Sequence, residues 1–288
     1  MVEIKSWFEN RVCLVATMHK KEQVISPPIE QELGVKVVVP QAFNTDNFGT
    51  FTREIKRLGT QLEAARLKAQ KALEMTGESL VITSEGSFFP HPTLPYAACD
   101  RELIFFFDQV NQIEIVAQEI SLETNYSHAS IRTIDEGLQF AQKVDFPSHG
   151  LIVMPNSEAE KNDPIFKGIV TENDLFNAIK TVLEFSPKKI VHIETDMRAM
   201  YNPTRMKVIA KATQNLIDKI FNTCPNCHCP GFDVVEHKSG LPCGLCGFPT
   251  DLIHSEIYRC QKCQLQQIKS FPNGQKSADP MYCNYCNP

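Results

Sequence analysis

Thr60-Gln-Leu-Glu63-Ala-Ala-Arg66-Leu-Lys68-Ala-Gln-Lys-Ala-Leu-Glu74, a break at Gly77, then Leu80-Val-Ile-Thr83-Ser-Glu85-Gly86-Ser87 is the stretch that decides the fold. Leu62, Ala65, Ala69, Ala72 and Leu73 recur at helical spacing, so residues 60–74 read as one amphipathic helix. Gly77 ends it. Leu80–Thr83 is a short apolar run, the mark of a buried strand, and Glu85-Gly86-Ser87 reads as a tight turn after it.

The same alternation extends in both directions. Upstream, residues 11–17 form an apolar run, 19–33 a helix that Pro27 and Pro28 must bend or split, and 35–39 a β-branched strand. Downstream, 103–107 and 113–116 read as a hairpin. Residues 133–143 form a helix with Thr133 and Glu136 as a capping box. A strand follows at 151–154, a helix at 171–185 and a strand at 189–193. Asn202-Pro203 then opens a long helix to Phe221 with Asn at the cap and Pro in the first turn. Alternating elements predict an α/β class with a mixed sheet flanked by helices. The expected divisions are 1–160, an α/β domain; 161–222, its continuation; and 223–288, a cysteine-rich module that forms a double zinc ribbon.

That module holds four C-x-x-C pairs: Cys224/Cys227, Cys243/Cys246, Cys260/Cys263 and Cys283/Cys286. Each pair presents two thiolates, and tetrahedral Zn²⁺ needs two pairs. Fifteen residues separate Cys227 from Cys243 and nineteen separate Cys263 from Cys283. Both gaps suit a ribbon, so sequential pairing is expected over crossed pairing of first with third and second with fourth. Closed Cys₄ sites leave no open position for catalysis, so two structural zincs are expected. Cys229 and His228 are surplus to them.

Net charge is −5, and residues 224–288 carry five Lys or Arg against five Asp or Glu. Eight thiolates on two Zn²⁺ add a net −4. This balance opposes a nucleic-acid partner, which needs a basic face. It favours a protein docked on the ribbons, or a second copy of the chain, over nucleic acid, for which a local basic patch would be needed. No apolar run approaches a membrane span, and the first residues lack the order of a signal peptide. With reduced, clustered thiols the expected location is the cytoplasm.

Two further clusters carry candidate chemistry. Glu63, Lys68 and Glu85 combine carboxylates and a cation on a helix and at a strand end, a setting that suits Mg²⁺ and phosphate. Glu194-Thr195-Asp196-Met-Arg198-Ala-Met-Tyr201-Asn202-Pro203-Thr204-Arg205 follows a strand and opens a helix, where anions and metals bind. There Asp196 is the candidate for Mg²⁺ or water activation, and Arg198, Asn202, Thr204 and Arg205 for anion binding. His91, between two prolines, is a lesser candidate acid or ligand. Walker A, G-x-G-x-x-G and G-x-S-x-G motifs are absent.

Residues 11–90 resemble the inosine-triphosphate pyrophosphatase-like group of nucleotide hydrolases. The residues concerned are Glu63-Ala-Ala-Arg-Leu-Lys68-Ala, the strand ending in Ser84-Glu85-Gly, and the opening Thr17-Met-His19-Lys20-Lys21. That resemblance implies Glu63 and Glu85 for metal or water, and Thr17, Lys21 and Lys68 for phosphates. Ala64, Ser84 and His19 depart from the group's pattern. The whole chain also resembles an uncharacterised bacterial family of this architecture, which implies no activity. The leading expectation is a Mg²⁺-dependent phosphohydrolase or pyrophosphatase acting on a nucleotide-like phosphate. The competing one is a non-enzymatic zinc-ribbon binding protein.

Overall fold

A computed structural model describes residues 4–41, 43–44, 59–88, 90–158 and 162–288. The chain forms two compact units, Lys5–Ile217 and Asp218–Pro288.

The larger unit contains two sheets. The first has order β2-β1-β3-β4-β5, from β1 (Val12–Ala16), β2 (Lys36–Val38), β3 (Leu80–Ser87), β4 (Asp100–Asp108) and β5 (Ile113–Ser121). β1 runs parallel to both β2 and β3, while β3, β4 and β5 are antiparallel neighbours. The sheet is therefore mixed, as expected. Helix α1 (Lys5–Phe8) sets Phe8 edge-on against Phe106 of β4. Helix α2 (Glu22–Leu33) lies between β1 and β2 in the chain. It stays one helix through Pro27 and Pro28, so of the expected bend or split the split does not occur, with Ile25, Ile29 and Leu33 buried on one side. Burial of that stripe offsets the two missing N–H donors.

Helix α3 (Gln61–Thr76) covers the face of the sheet built from Leu14, Ala16, Val81, Leu103 and Phe105. Its own contribution is Ala65, Ala69, Ala72 and Leu73. Small alanines let helix and sheet approach closely. Gly77 ends α3 in the left-handed conformation, with its N–H on the Leu73 carbonyl. β3 is longer than expected: Glu85, Gly86 and Ser87 pair with Leu103, Glu102 and Arg101 and form no turn. The glycine marks a close approach of another chain segment, described below, not a change of direction.

The second sheet has order β6-β9-β7-β8, from β6 (His128–Ile131), β7 (Leu151–Met154), β8 (Phe166–Ile169) and β9 (Val191–Thr195), with every neighbouring pair antiparallel. Helices α4 (Ile134–Lys143) and α5 (Glu172–Phe185) cover it, burying Phe140, Ala141, Leu175, Ile179 and Val182 against Ile131, Leu151, Val153, Val191 and Ile193. Thr133 and Thr171 cap them through the backbone N–H of Glu136 and Asp174. This sheet takes β6 and β7 from before residue 160 and β8 and β9 from after it, so its four strands straddle that position. Residues 159–161 themselves lie outside the described residues. Helix α6 (Pro203–Phe221) follows β9.

The smaller unit is a meander of β10 (Asp233–Ser239), β11 (Ile253–Arg259) and β12 (Gln266–Ser270) with the C-x-x-C knuckles at its ends. Cys224, Cys227, Cys260 and Cys263 form one group, and Cys243, Cys246, Cys283 and Cys286 the other. Pairing is crossed, not sequential. The meander dictates this. Asp233 pairs with Arg259, so the knuckle before β10 meets the one after β11. Ser239 pairs with Ile253, and Ser255 with Ser270, so the knuckles after β10 and after β12 meet at the opposite end.

The sulfur atoms of Cys224 and Cys263 are 3.6 Å apart, those of Cys227 and Cys260 3.5 Å, Cys243 and Cys286 3.9 Å, and Cys246 and Cys283 3.7 Å. A tetrahedral ion with Zn–S bonds of about 2.3 Å needs S···S edges of about 3.8 Å. Both groups fit such an ion. In three knuckles the residue after the second cysteine is left-handed: His228 (φ 58°), Gly247 (φ 74°) and Gln264 (φ 60°). Each sends its N–H back to the first cysteine's carbonyl. His228 is thus a turn residue, and Cys229 is a buried thiol outside both groups.

Crossed pairing has a direct test. The double variant Cys227→Ser/Cys263→Ser should lose one bound metal equivalent and keep the other, read as metal per chain after purification with zinc. Loss of both equivalents would restore the sequential assignment.

Candidate functional site

The carboxyl ends of β1 and β3 lie side by side because the strands are parallel. From β1 the chain runs to β2 on one side and then to β3 on the other, so the order reverses there. Ligands of open α/β sheets bind at such a switch point. Thr17, His19 and Lys21 follow β1, and Ser84, Glu85 and Gly86 close β3.

Side chains of β3 alternate between the two faces. Thr83 and Glu85 point to α3: Thr83 Oγ1 donates to the Ala65 carbonyl, and Glu85 Oε1 is 2.5 Å from Lys68 Nζ. Ser84 and Gly86 face the other way. Lys21 Nζ donates to Ser84 Oγ at 2.9 Å. A Cβ added at Gly86 would collide with the Arg205 guanidinium and Glu102. Cations thus enclose the end of β3 from both faces.

Arg205, three residues into α6, has no exposed surface. Its Nε donates to Glu102 Oε1 at 2.7 Å and its Nη1 to the Met197 carbonyl, and the guanidinium lies over the Phe88 ring at 5.1 Å. Asp100 and Glu102 are alternate residues of β4 and share the face of Gly86. Neither Asp100 oxygen, nor Glu102 Oε2, has an N–H or hydroxyl donor among the described residues. The two carboxyl groups act on each other's ionisation, and the pair holds one proton, on Asp100. Burial, then the Glu102 charge, pushes Asp100 up to about 8. Burial opposes ionisation of Glu102 as well, but Arg205 and Lys21 hold it below the usual carboxylate range.

His19 registers the positive potential here. Burial, followed by Lys21, Arg205, Arg198 and Lys68 in that order, depresses its imidazole to about 3, so it is neutral at physiological pH. Lys21 falls to about 7, first through burial and then through Arg205.

The expected site residues separate into two sets. Lys21, Lys68, Glu85, Arg198 and Arg205 come together, with Thr17 buried at the end of β1. Glu63 does something else. It is the third residue of α3 and completes a capping box, its Oε2 accepting from the Thr60 N–H at 2.7 Å while Thr60 Oγ1 accepts from the Glu63 N–H. That carboxylate stabilises a helix end, and the Thr60-x-x-Glu63 spacing already spelled it.

Asp196 is fully buried and saturated. Arg198 grips both its oxygens, with Nη2 to Oδ2 at 2.6 Å, and the Gly168 N–H donates to Oδ2. Asn202 Oδ1 caps α6 by accepting from the Arg205 N–H, and Thr204 Oγ1 meets His149 Nε2 at 3.0 Å. These groups build the support beneath Arg205. Glu85 and Asp196 are each matched by a cation, and among the described residues only the two Cys₄ groups cluster as metal ligands. His91 Nδ1 accepts the N–H groups of Thr93 and Leu94 and organises its own loop. Neighbouring Phe89 lies outside the described residues.

Ser84, Asp100 and Glu102 escaped the sequence reading. Their signal was alternation: Asp100 and Glu102 continue the face of Ile104 and Phe106, and Ser84 that of Leu80 and Ile82, so all three belong to a buried face.

Residues 68–288, about three quarters of the sequence, match DUF6671, a domain of unknown function. The chain belongs to this family. The matched region includes Lys68, β3, β4, α6 and all four Cys pairs, and begins after Thr17, His19, Lys21 and Glu63. No curated protein and no solved structure matched. No helix among the described residues is long and apolar enough to cross a membrane.

The proton on Asp100 predicts a pH signature. Asp100 is raised from 3.8 to about 8, so between those values the folded chain holds a proton that unfolding releases. Stability therefore falls as pH rises through that window. Asp100→Asn does not titrate. Its urea midpoint relative to the parent protein should rise steadily from pH 4 to 8 and then level off; a difference independent of pH would refute the proton on Asp100.

Proposed function

We propose that the larger unit binds a small phosphorylated ligand at the carboxyl ends of β1 and β3 and hydrolyses its phosphate ester or anhydride. One observation carries this reading: the buried side chains of Lys21, Lys68 and Arg205 converge on the last residues of β3, at Ser84, Glu85 and Gly86. Glu85, Glu102 and Asp196 pair with Lys68, Arg205 and Arg198. Lys21 bonds a hydroxyl. A buried ammonium next to an arginine is unfavourable until an anion arrives, and a phosphate would return its charge to the ordinary state.

A nucleotide as the phosphorylated group rests on the resemblance of residues 11–90. Mg²⁺, where the reaction uses it, would enter chelated to the phosphates, because Glu85 and Asp196 already face cations. The Cys₄ groups would hold two structural zinc ions, consistent with their sulfur spacing, in a reducing cytoplasm. The ribbons also support a second reading, as a protein-binding module. Leu245 (74% exposed), Phe248 and Tyr285 (73%) lie around one Cys₄ group, with the two rings stacked at 5.9 Å.

A screen of the zinc-loaded full-length protein tests the leading reading. Nucleoside mono-, di- and triphosphates and sugar phosphates would be supplied with and without Mg²⁺, measuring phosphate release and thermal shift. At least one compound should be turned over, and Lys21→Met or Lys68→Met should weaken its binding about tenfold or more, roughly 1.4 kcal/mol. A series in which no phosphorylated compound is hydrolysed or raises the melting temperature would reject it.

A further inference from the structure

We infer that Ser84 is a nucleophile and Lys21 its general base, so that turnover at this site passes through a phosphoryl group carried on Ser84 Oγ. The inference rests on the hydrolytic reading above for its substrate, and on the dyad's own geometry for its chemistry.

Ser84 Oγ and Lys21 Nζ are 2.9 Å apart, and both residues are more than nine-tenths buried. A serine hydroxyl is a weak nucleophile until a neighbouring base takes its proton. Lysine serves as that base only when neutral, which requires an environment hostile to the ammonium form. Every element packed around Lys21 bears on this. Arg205 of α6 and Lys68 of α3 disfavour the charge, while Glu102 of β4 and Glu85 of β3 favour it. Burial adds to the cations, and the amine titrates near neutrality. The carboxylates cannot restore the charge fully because Lys68 and Arg205 already bond them.

The position suits attack. Ser84 lies near the end of a central strand, between Ile82 in the core and Gly86, whose missing side chain admits the Arg205 guanidinium. Arg205 reaches the face of β3 that carries Ser84, so charge developing on a phosphoryl group above Ser84 would meet its fixed guanidinium.

In the first half-reaction neutral Lys21 accepts the Ser84 proton as the Oγ–P bond forms. The P–O bond to the leaving group breaks, its electron pair leaves with that oxygen, and the Lys21 ammonium returns the proton to it. In the second, Lys21 takes a proton from water as the water oxygen bonds to phosphorus. The P–Oγ bond breaks and the proton passes to Ser84 Oγ. One water is consumed, and ester and water become alcohol and phosphate.

A small phosphorylating reagent, diisopropyl fluorophosphate, tests the dyad without a known substrate. On the zinc-loaded full-length protein, peptide mass spectrometry should place the adduct on Ser84, with a labelling rate that climbs as pH rises through about 7. Lys21→Arg keeps the charge and the hydrogen bond but cannot give up its proton near neutrality. It should slow labelling at least about a hundredfold, within the range of general-base contributions. A structural or purely anion-binding lysine would be rescued by that arginine. Ser84→Ala, shown folded by circular dichroism, should take up no label.

Label absent from Ser84, or a Lys21→Arg protein that reacts like the parent, overturns the inference. With any substrate from the phosphate screen, acid quench should trap a phosphoryl increment on the Ser84 peptide, and Ser84→Ala should lose turnover about a thousandfold or more. Turnover that survives Ser84→Ala rejects the nucleophile and leaves the hydrolase standing. A labelled Ser84 in a protein that hydrolyses no phosphate keeps the nucleophile and removes the phosphate.

Discussion

A guanidinium with no contact to solvent organises the larger unit. Arg205 reaches Glu102 on β4, the carbonyl of Met197 after β9, and the face of Phe88 after β3. Burying such a charge costs several kcal/mol unless each donor meets an acceptor. The surrounding sequence reads as a set of concessions to that requirement. Position 86 is glycine because a side chain would occupy the guanidinium's place. Asn202 caps the helix that carries Arg205. Asp196 is immobilised by Arg198 and the Gly168 N–H, and this holds the segment presenting the Met197 carbonyl. Tyr201 packs so closely on Gly150 and Gly168 that neither tolerates a Cβ. Residues with the look of a catalytic motif are largely the housing of one arginine.

The smaller unit depends on a different constraint. Three antiparallel strands send successive connections to alternate ends of the sheet, so knuckles one and three share an end and knuckles two and four share the other. Each metal group then joins segments far apart in sequence, such as Cys227 and Cys260. Every strand has a Cys₄ group at each end, and the exposed strand β12 has no buried side chain to hold it otherwise. Small modules of this kind gain their folding free energy from the metal. A sequential arrangement would have closed two short local loops, one around β10 and one around β12, with β11 outside both.

What could be read in advance follows from how far each signal travels. Helix periodicity, the cap at Thr133 and the stop at Gly77 are local, and the structure contains them. The C-x-x-C pairs are local too, but which pair meets which depends on strands within the spacers, and residues 233–239 are polar enough on their exposed side to hide one. Glu63 carried two readings, because a capping box and a metal ligand both need a carboxylate near a helix start, and the structure shows the capping box. Lys21, Ser84 and Arg205 are 63 and 121 residues apart in sequence, so only the register of β1 and β3 and the placement of α6 bring them together. Asp100 and Glu102 look like the solvent side of a strand until the alternation is traced to Phe106, which meets Phe8.

The charge balance at the end of β3 then explains why the site stays poised. Three carboxylates are matched by Lys68, Arg198 and Arg205, and a fourth, Asp100, keeps its proton. Ionising Asp100 would supply a negative partner for Lys21, yet burial opposes it first and the Glu102 charge adds to that. The negative charge that would settle Lys21 is thus excluded from the protein's own side chains. It must come from outside, or Lys21 must give up its proton. An anion satisfies the first demand and a hydroxyl at 2.9 Å awaits the second. In the proposed mechanism binding and activation are alternative answers to the same electrostatic deficit, so a single buried lysine would serve both.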